Sequence, residues 1–127
     1  MRLGAISLLV ADYEAAIAWF TASLGFALAE DTDLGGGMRW VRVVPPGGGT
    51  GLILAKALLP QQIAAIGQQG GGRVWLFLQT TNFDRDHAAM TAAGVHFLEE
   101  PRREPYGSVA VFEDICGNRW DLIEATA

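Results

Sequence analysis

The stretch Ile6-Ser7-Leu8-Leu9-Val10-Ala11-Asp12 is echoed further along by Val74-Trp75-Leu76-Phe77-Leu78-Gln79-Thr80-Thr81-Asn82. Each is a short apolar run suited to a buried strand, followed by a side chain suited to cap a helix. After Asp12, the residues Tyr13, Ile17, Phe20 and Leu24 recur at helical spacing until Gly25. After Asn82, Phe83, His87 and Met90 do the same until Gly94. Apolar stripes closed by glycine are the pattern of amphipathic helices with left-handed caps. A strand–helix–strand unit written twice predicts two half-domains facing each other across a groove.

The intervening segments complete each copy. Phe26 to Glu30 and Met38 to Val44 read as strands separated by a turn at Gly35–Gly37, and Pro45-Pro46-Gly47-Gly48-Gly49 is a strong break. Gly51 to Ala55 then closes a βαβββ module over residues 1–56. Residues 57–72 read as a linker with a short helix that begins at Pro60 and stops at Gly67, with Gly70–Gly72 as a loose hinge. That glycine run is not a phosphate loop, because no Gly-Lys-Ser/Thr follows it and no helix opens there. Residues 73–127 form the second module, with further strands at Val95–Glu99, Gly107–Phe112 and Asn118–Glu124.

Composition narrows the class. A chain of 127 residues with 50% hydrophobic and 18% charged residues is a single globular domain, 1–127, built from the two halves. A net charge of −5 argues against nucleic acid, and no apolar run is long enough to span a bilayer. The N-terminus does not read as a signal peptide, because Asp12 and Glu14 interrupt its apolar stretch. The single cysteine, Cys116, rules out an internal disulfide framework and fits a reducing compartment, so a cytoplasmic location is expected.

Leu9-Val10-Ala11-Asp12-Tyr13, then Ala18-Trp19-Phe20 and Leu24-Gly25-Phe26, resemble the opening of the glyoxalase/bleomycin-resistance/extradiol-dioxygenase (vicinal oxygen chelate) superfamily. Tyr106-Gly107 and Phe112-Glu113-Asp114-Ile115-Cys116-Gly117-Asn118 resemble its closing hairpin, with Cys116 where that turn usually carries Asp. The resemblance covers essentially the whole chain. It implies an α+β fold of two βαβββ modules, forming an eight-stranded, U-shaped mixed sheet around a central cavity, commonly in a homodimer.

The resemblance also implies where a metal would sit. Metal-using members supply one inward ligand from each of four strands, commonly His or Gln on the first strand of each module and Glu on the last. Carried over by motif, these positions fall on Ala5, on Trp75, on Asp121, and within Gly51-Leu52-Ile53-Leu54. Only Asp121 has a donor, and one carboxylate does not hold a transition metal against water. Moving Gln79 into place would slip the strand and misplace the helix after it. No metal and no other cofactor is therefore expected. His87 lies on the helix stripe and reads as packing. His96, beside Glu99-Glu100, reads as an edge residue.

Strand alternation gives candidate ligand-binding residues. Trp75, Phe77 and Gln79 share one face; Arg119 and Asp121 share another, with Trp120 and Leu122 turned to the helices. Trp40 and Arg42 share a face whose side is undetermined, and Tyr106 stands at the mouth of the closing hairpin. Aromatic walls with a few polar anchors suit a small molecule, and Asp121 suits a cation. A metal-free binding module for an aromatic or cationic ligand, of the resistance or sequestration kind, is the first functional expectation. A metal-dependent lyase, isomerase or dioxygenase is the alternative, and a structural or regulatory dimer with a filled groove is the third.

Overall fold

The computed structural model describes residues 1–126, which divide into two units, Met1–Ile66 and a second beginning at Gly67. In the first, β1 (Ala5–Val10) leads into α1 (Tyr13–Ser23), followed by β2 (Ala27–Gly35), β3 (Met38–Val44), β4 (Gly51–Lys56) and the short α2 (Pro60–Ala65). The sheet order is β1-β4-β3-β2, with β1 and β4 parallel and the other pairs antiparallel. In the second, β5 (Val74–Gln79) leads into α3 (Phe83–Ala92), then β6 (His96–Phe97), β7 (Arg102–Glu104), β8 (Gly107–Glu113) and β9 (Arg119–Ala125). Here β5 and β9 are the parallel pair.

The repeat expected from the sequence is present down to the caps. Asp12 accepts from the Ala15 amide at 2.8 Å, and Asn82 accepts from the Arg85 amide at 3.1 Å. Each side chain satisfies a first-turn N–H that the helix itself leaves unpaired. Helix α1 buries Tyr13, Ala16 and Phe20 against a sheet face made by Leu8, Val10, Val41, Val43 and Leu54. Ala16 thus takes the core place on the stripe, and Ile17 is only half-buried. In the second unit, ring contacts run from Phe83 through His87 and Phe97 to Phe112 and Trp120. His87 is an aromatic packing residue there, as its place on the stripe implied.

Three details depart from the sequence-based expectation. Strand β2 runs on to Gly35, because Gly35 pairs with Met38 and leaves Gly36 and Gly37, both at positive φ, as a two-residue hairpin turn. Every residue of β2 is exposed, so no apolar alternation announced its length.

The described residues carry nine strands rather than eight, because the expected Val95–Glu99 strand ends at Phe97 and strand pairing with β8 resumes only at Arg102. Pro101, which has no N–H to give the ladder, lies in the gap. The Glu99 carboxylate accepts from the Val111 amide at 3.1 Å and so takes the place of a strand partner.

Gly70–Gly72, finally, is not loose. Hydrogen bonds from Gly71 to Gln68 and from Arg73 to Gly70, at 3.0 and 3.1 Å, make it two successive turns.

Candidate functional site

In the second unit, α3 covers one face of the sheet and leaves the other without a helix. On β9, Trp120 and Leu122 are buried on the helix side, so Asp121 points the opposite way. Its register neighbours are Phe77 on β5 and Val111 on β8. Phe77 is 62% exposed, a large apolar ring left uncovered on β5, the edge strand of this sheet. Asp121 is half-buried, but its Oδ1 is shut off from solvent and has no hydrogen-bond partner. Burial pushes the Asp121 carboxyl above its ordinary value; the nearby Arg102 charge pulls it back, and Glu99 pushes it up again.

Because the folded carboxyl holds its proton to higher pH than the unfolded one, this group's contribution to stability declines as pH rises above the ordinary carboxylate range. Asp121→Asn is therefore expected to stabilise the fold at neutral pH by about 1 kcal/mol, the scale of a buried unpaired polar group. In thermal unfolding of both proteins across pH, the gain should shrink as pH falls through that range. A variant less stable than wild type at neutral pH would contradict it.

Beside Asp121 stands a polar cluster of which the sequence singled out only Tyr106. Arg102 Nε donates to both oxygens of Glu99 at 3.0 Å, and its Nη1 donates to Glu104 at 3.0 Å and to the Tyr106 hydroxyl at 3.4 Å. Two carboxylates and a phenol hold one guanidinium, and Glu99 is in turn anchored by Val111. The only advance signal was charge density between two prolines, Pro101 and Pro105. Tyr106 lies in the turn before β8 and is exposed. Arg119 is exposed, sits opposite Glu113 in register and forms no ion pair with Asp121. Gln79 is exposed opposite Ile123. Trp75 is the extra residue of a bulge between Val74 and Leu76, so simple alternation with Phe77 does not extend to it.

In the first unit, Trp40 and Arg42 lie on the helix-free face, because Val41 and Val43 between and beyond them are fully buried under α1. Both hold Glu30, another residue the sequence did not single out: Trp40 Nε1 donates at 3.2 Å and Arg42 Nε at 2.6 Å. The Arg42 hydrogen bond, opposed by desolvation and helped by the Trp40 hydrogen bond, keeps the Glu30 carboxyl below its usual value. Trp40 remains 42% exposed.

The two parallel strand pairs narrow the fourth of the positions at which the resemblance implies metal ligands. Phe77 stands opposite Asp121, and Ser7, its counterpart in the first copy, stands opposite Ile53. The positions are therefore Ala5, Ile53, Trp75 and Asp121. Three carry no oxygen or imidazole donor, so this set does not fit a metal ion. Among the described residues, no group of three or more His, Cys, Asp or Glu is placed to hold one. His96 is exposed and bonded to Glu113 at 2.7 Å. Burial, with Asp114 adding to it, pushes the Cys116 thiol up to about 12, which leaves it unreactive at neutral pH.

Two depressions lie elsewhere. One, of about 410 Å³, is lined by Asp31, Asp33, Arg39 and the β2–β3 turn; the other, of about 590 Å³, by His87, Thr91 and residues 95–100. Both are open to solvent, and neither includes Phe77 or Asp121. The sheet faces combine exposed rings with anchored polar groups and are the better candidates.

Among the described residues no helix is long and apolar enough to cross a membrane. An uncharacterized protein of Shewanella frigidimarina is 48% identical over 94% of this chain and 90% of its own length. The crystal structure of UcmS2 matches with a TM-score of 0.83 at 29% identity, covering 97% of each chain. That of TnmS3, an antibiotic binding protein from Streptomyces sp. CB03234, matches with a TM-score of 0.80 at 29% identity, over 99% of this chain and 97% of that one. Residues 2–122 match the family model of these folds, and the chain belongs to the glyoxalase/bleomycin resistance protein/dioxygenase superfamily.

Proposed function

We propose that this protein binds an aromatic or cationic small molecule on the helix-free faces of its sheets, without a metal ion. The observation that carries the proposal is the pairing of Phe77, 62% exposed, with Asp121, whose Oδ1 is sealed and unpartnered in the same row. An exposed ring offers a stacking surface, and the half-buried Asp121 carboxylate beside it supplies negative charge that would draw a cationic ligand. Trp40, Arg42 and Glu30 supply a second aromatic–polar surface in the first unit, while Trp75, Gln79, Tyr106 and Arg119 are further candidates around these two faces. The likeness to TnmS3, an antibiotic binding protein, supports a sequestering role.

The enzymatic alternative requires ligands that Ala5, Ile53 and Trp75 do not offer. The third reading, faces filled by the chain's own side chains, is disfavoured by the exposure of Phe77 and Trp40, each on its own sheet. The protein acts in the cytoplasm, in keeping with its single thiol, and as a homodimer, in keeping with its superfamily.

The test is a thermal-shift screen of planar aromatic and cationic compounds, followed by titration of the hits. At least one class should stabilise the protein, and Phe77→Ala should weaken its binding about tenfold, the scale of a lost stacking contact. Because Phe77 is exposed, that variant should unfold close to wild type. No stabilisation across the panel would overturn the proposal.

A further inference from the structure

Glu30 reaches the helix-free face of the first unit through a bulge. Strand β2 lies at the edge of its sheet, and its register with β3 shifts between Leu28 and Glu30. Leu28 stands opposite Val43, so an unbroken ladder would set Glu30 opposite Val41, which is fully buried on the side that α1 covers. The shift sets it opposite Arg42 instead. There its two oxygens are divided: Oε1 accepts from Arg42 Nε at 2.6 Å, and Oε2 accepts from Trp40 Nε1 at 3.2 Å. Bulges re-aim single side chains, and this one brings a carboxylate to the edge of a ring that stays 42% exposed.

Resting on the aromatic binding role above, we propose that Glu30 is a positioning residue that holds the Trp40 indole as a stacking platform for an uncharged planar ring. The indole N–H lies in the plane of the ring, so the bond that holds it covers neither face. A ring already held in place loses less freedom when a ligand stacks on it. The charges nearby select an uncharged partner. Glu30 and Arg42 are bonded to each other, so a cation on the ring is drawn by one and repelled by the other, and an anion meets the reverse. Thr32 and Ile53, which stand opposite Trp40 and Arg42 in register, add no charge. Stacking is what this face has left to offer.

The experiment titrates 1-naphthylmethanol and 1-naphthylmethylammonium into wild type, Glu30→Ala, Trp40→Phe and the double variant, read from the indole and backbone amide signals by NMR. The Trp40 indole signal is identified by its loss in Trp40→Phe, and folding is checked in the same spectra. Both probes should shift that signal in wild type, the cation binding within about threefold of the alcohol. Glu30→Ala should weaken the alcohol about fivefold, the scale of ordering one side chain. In the Trp40→Phe background the ring has no N–H to hold, so the same change should leave affinity within about twofold. A general effect of breaking the Glu30–Arg42 pair would act in both backgrounds, so equal losses would overturn the positioning role. A cation preferred more than about threefold, or a probe that binds without moving the Trp40 signal, would overturn it while leaving the Phe77 face intact. No binding by either probe would overturn it together with the aromatic reading.

Discussion

Asp114→Ala is expected to destabilise the protein by about 3–5 kcal/mol, enough to remove most of the stability of a small domain. Asp114 is 4% exposed in the β8–β9 turn. Its Oδ1 accepts from the Cys116 and Asn118 amides at 2.9 and 3.0 Å. Its Oδ2 accepts from the Trp120 indole at 2.9 Å and the Asn118 side chain at 3.3 Å. Alanine would leave four donors without this acceptor in a region where Asn118 and Trp120 are also buried. Each stranded donor costs on the order of 1–3 kcal/mol. Relief of the carboxylate's own burial, which pushes its pKa up against those same hydrogen bonds, offsets part of the loss. Asp114→Asn keeps one accepting oxygen but sets an amide donor against other donors, so it should lose less than alanine does. Denaturant unfolding of the three proteins checks the order. An alanine variant within about 1 kcal/mol of wild type would show that the turn does not depend on this carboxylate.

Gly67→Ala should cost at least about 3 kcal/mol, combining a positive-φ penalty with an overpacking penalty. Gly67 has φ +74°, and a Cβ built there would lie 2.2 Å from the Cys116 carbonyl oxygen and 3.2 Å from its carbon. Both are backbone atoms of the turn that Asp114 organises, so no side chain can swing aside. The same approach lets the Gln69 amide reach Asn118 Oδ1 at 3.2 Å. Gly71→Ala is the control, since φ there is +64° but nothing lies within 4 Å of the added carbon. It should cost only about 1–2 kcal/mol, the backbone part alone. Equal losses in the two variants would remove the close approach as the cause.

The parts of this molecule that were legible in the sequence are those set by local chemistry. Asp12 and Asn82 announce helix starts, Gly25 and Gly94 their ends, and the apolar runs between them fall in the same order twice. What was not legible depends on register. Ile53 could be assigned as the counterpart of Asp121 only once β1 and β4 were seen to pair. Glu30 came to Trp40 and Arg42 through cross-strand pairing, and Arg102 came to Glu99 through the interruption between β6 and β7. The bulge at Trp75 likewise breaks the alternation from which its direction was inferred. Individual side chains spaced along a sequence do not reveal such partners, because one residue of slip reverses the face they occupy.

The metal content of the protein, purified without chelator and without added metal, is the most direct test of a binding face that works without an ion. With Ala5, Ile53 and Trp75 beside a single carboxylate at the four positions, the expected result is far less than one divalent ion per chain. One tightly held ion per chain, released by chelator and lost in Asp121→Asn, would contradict it.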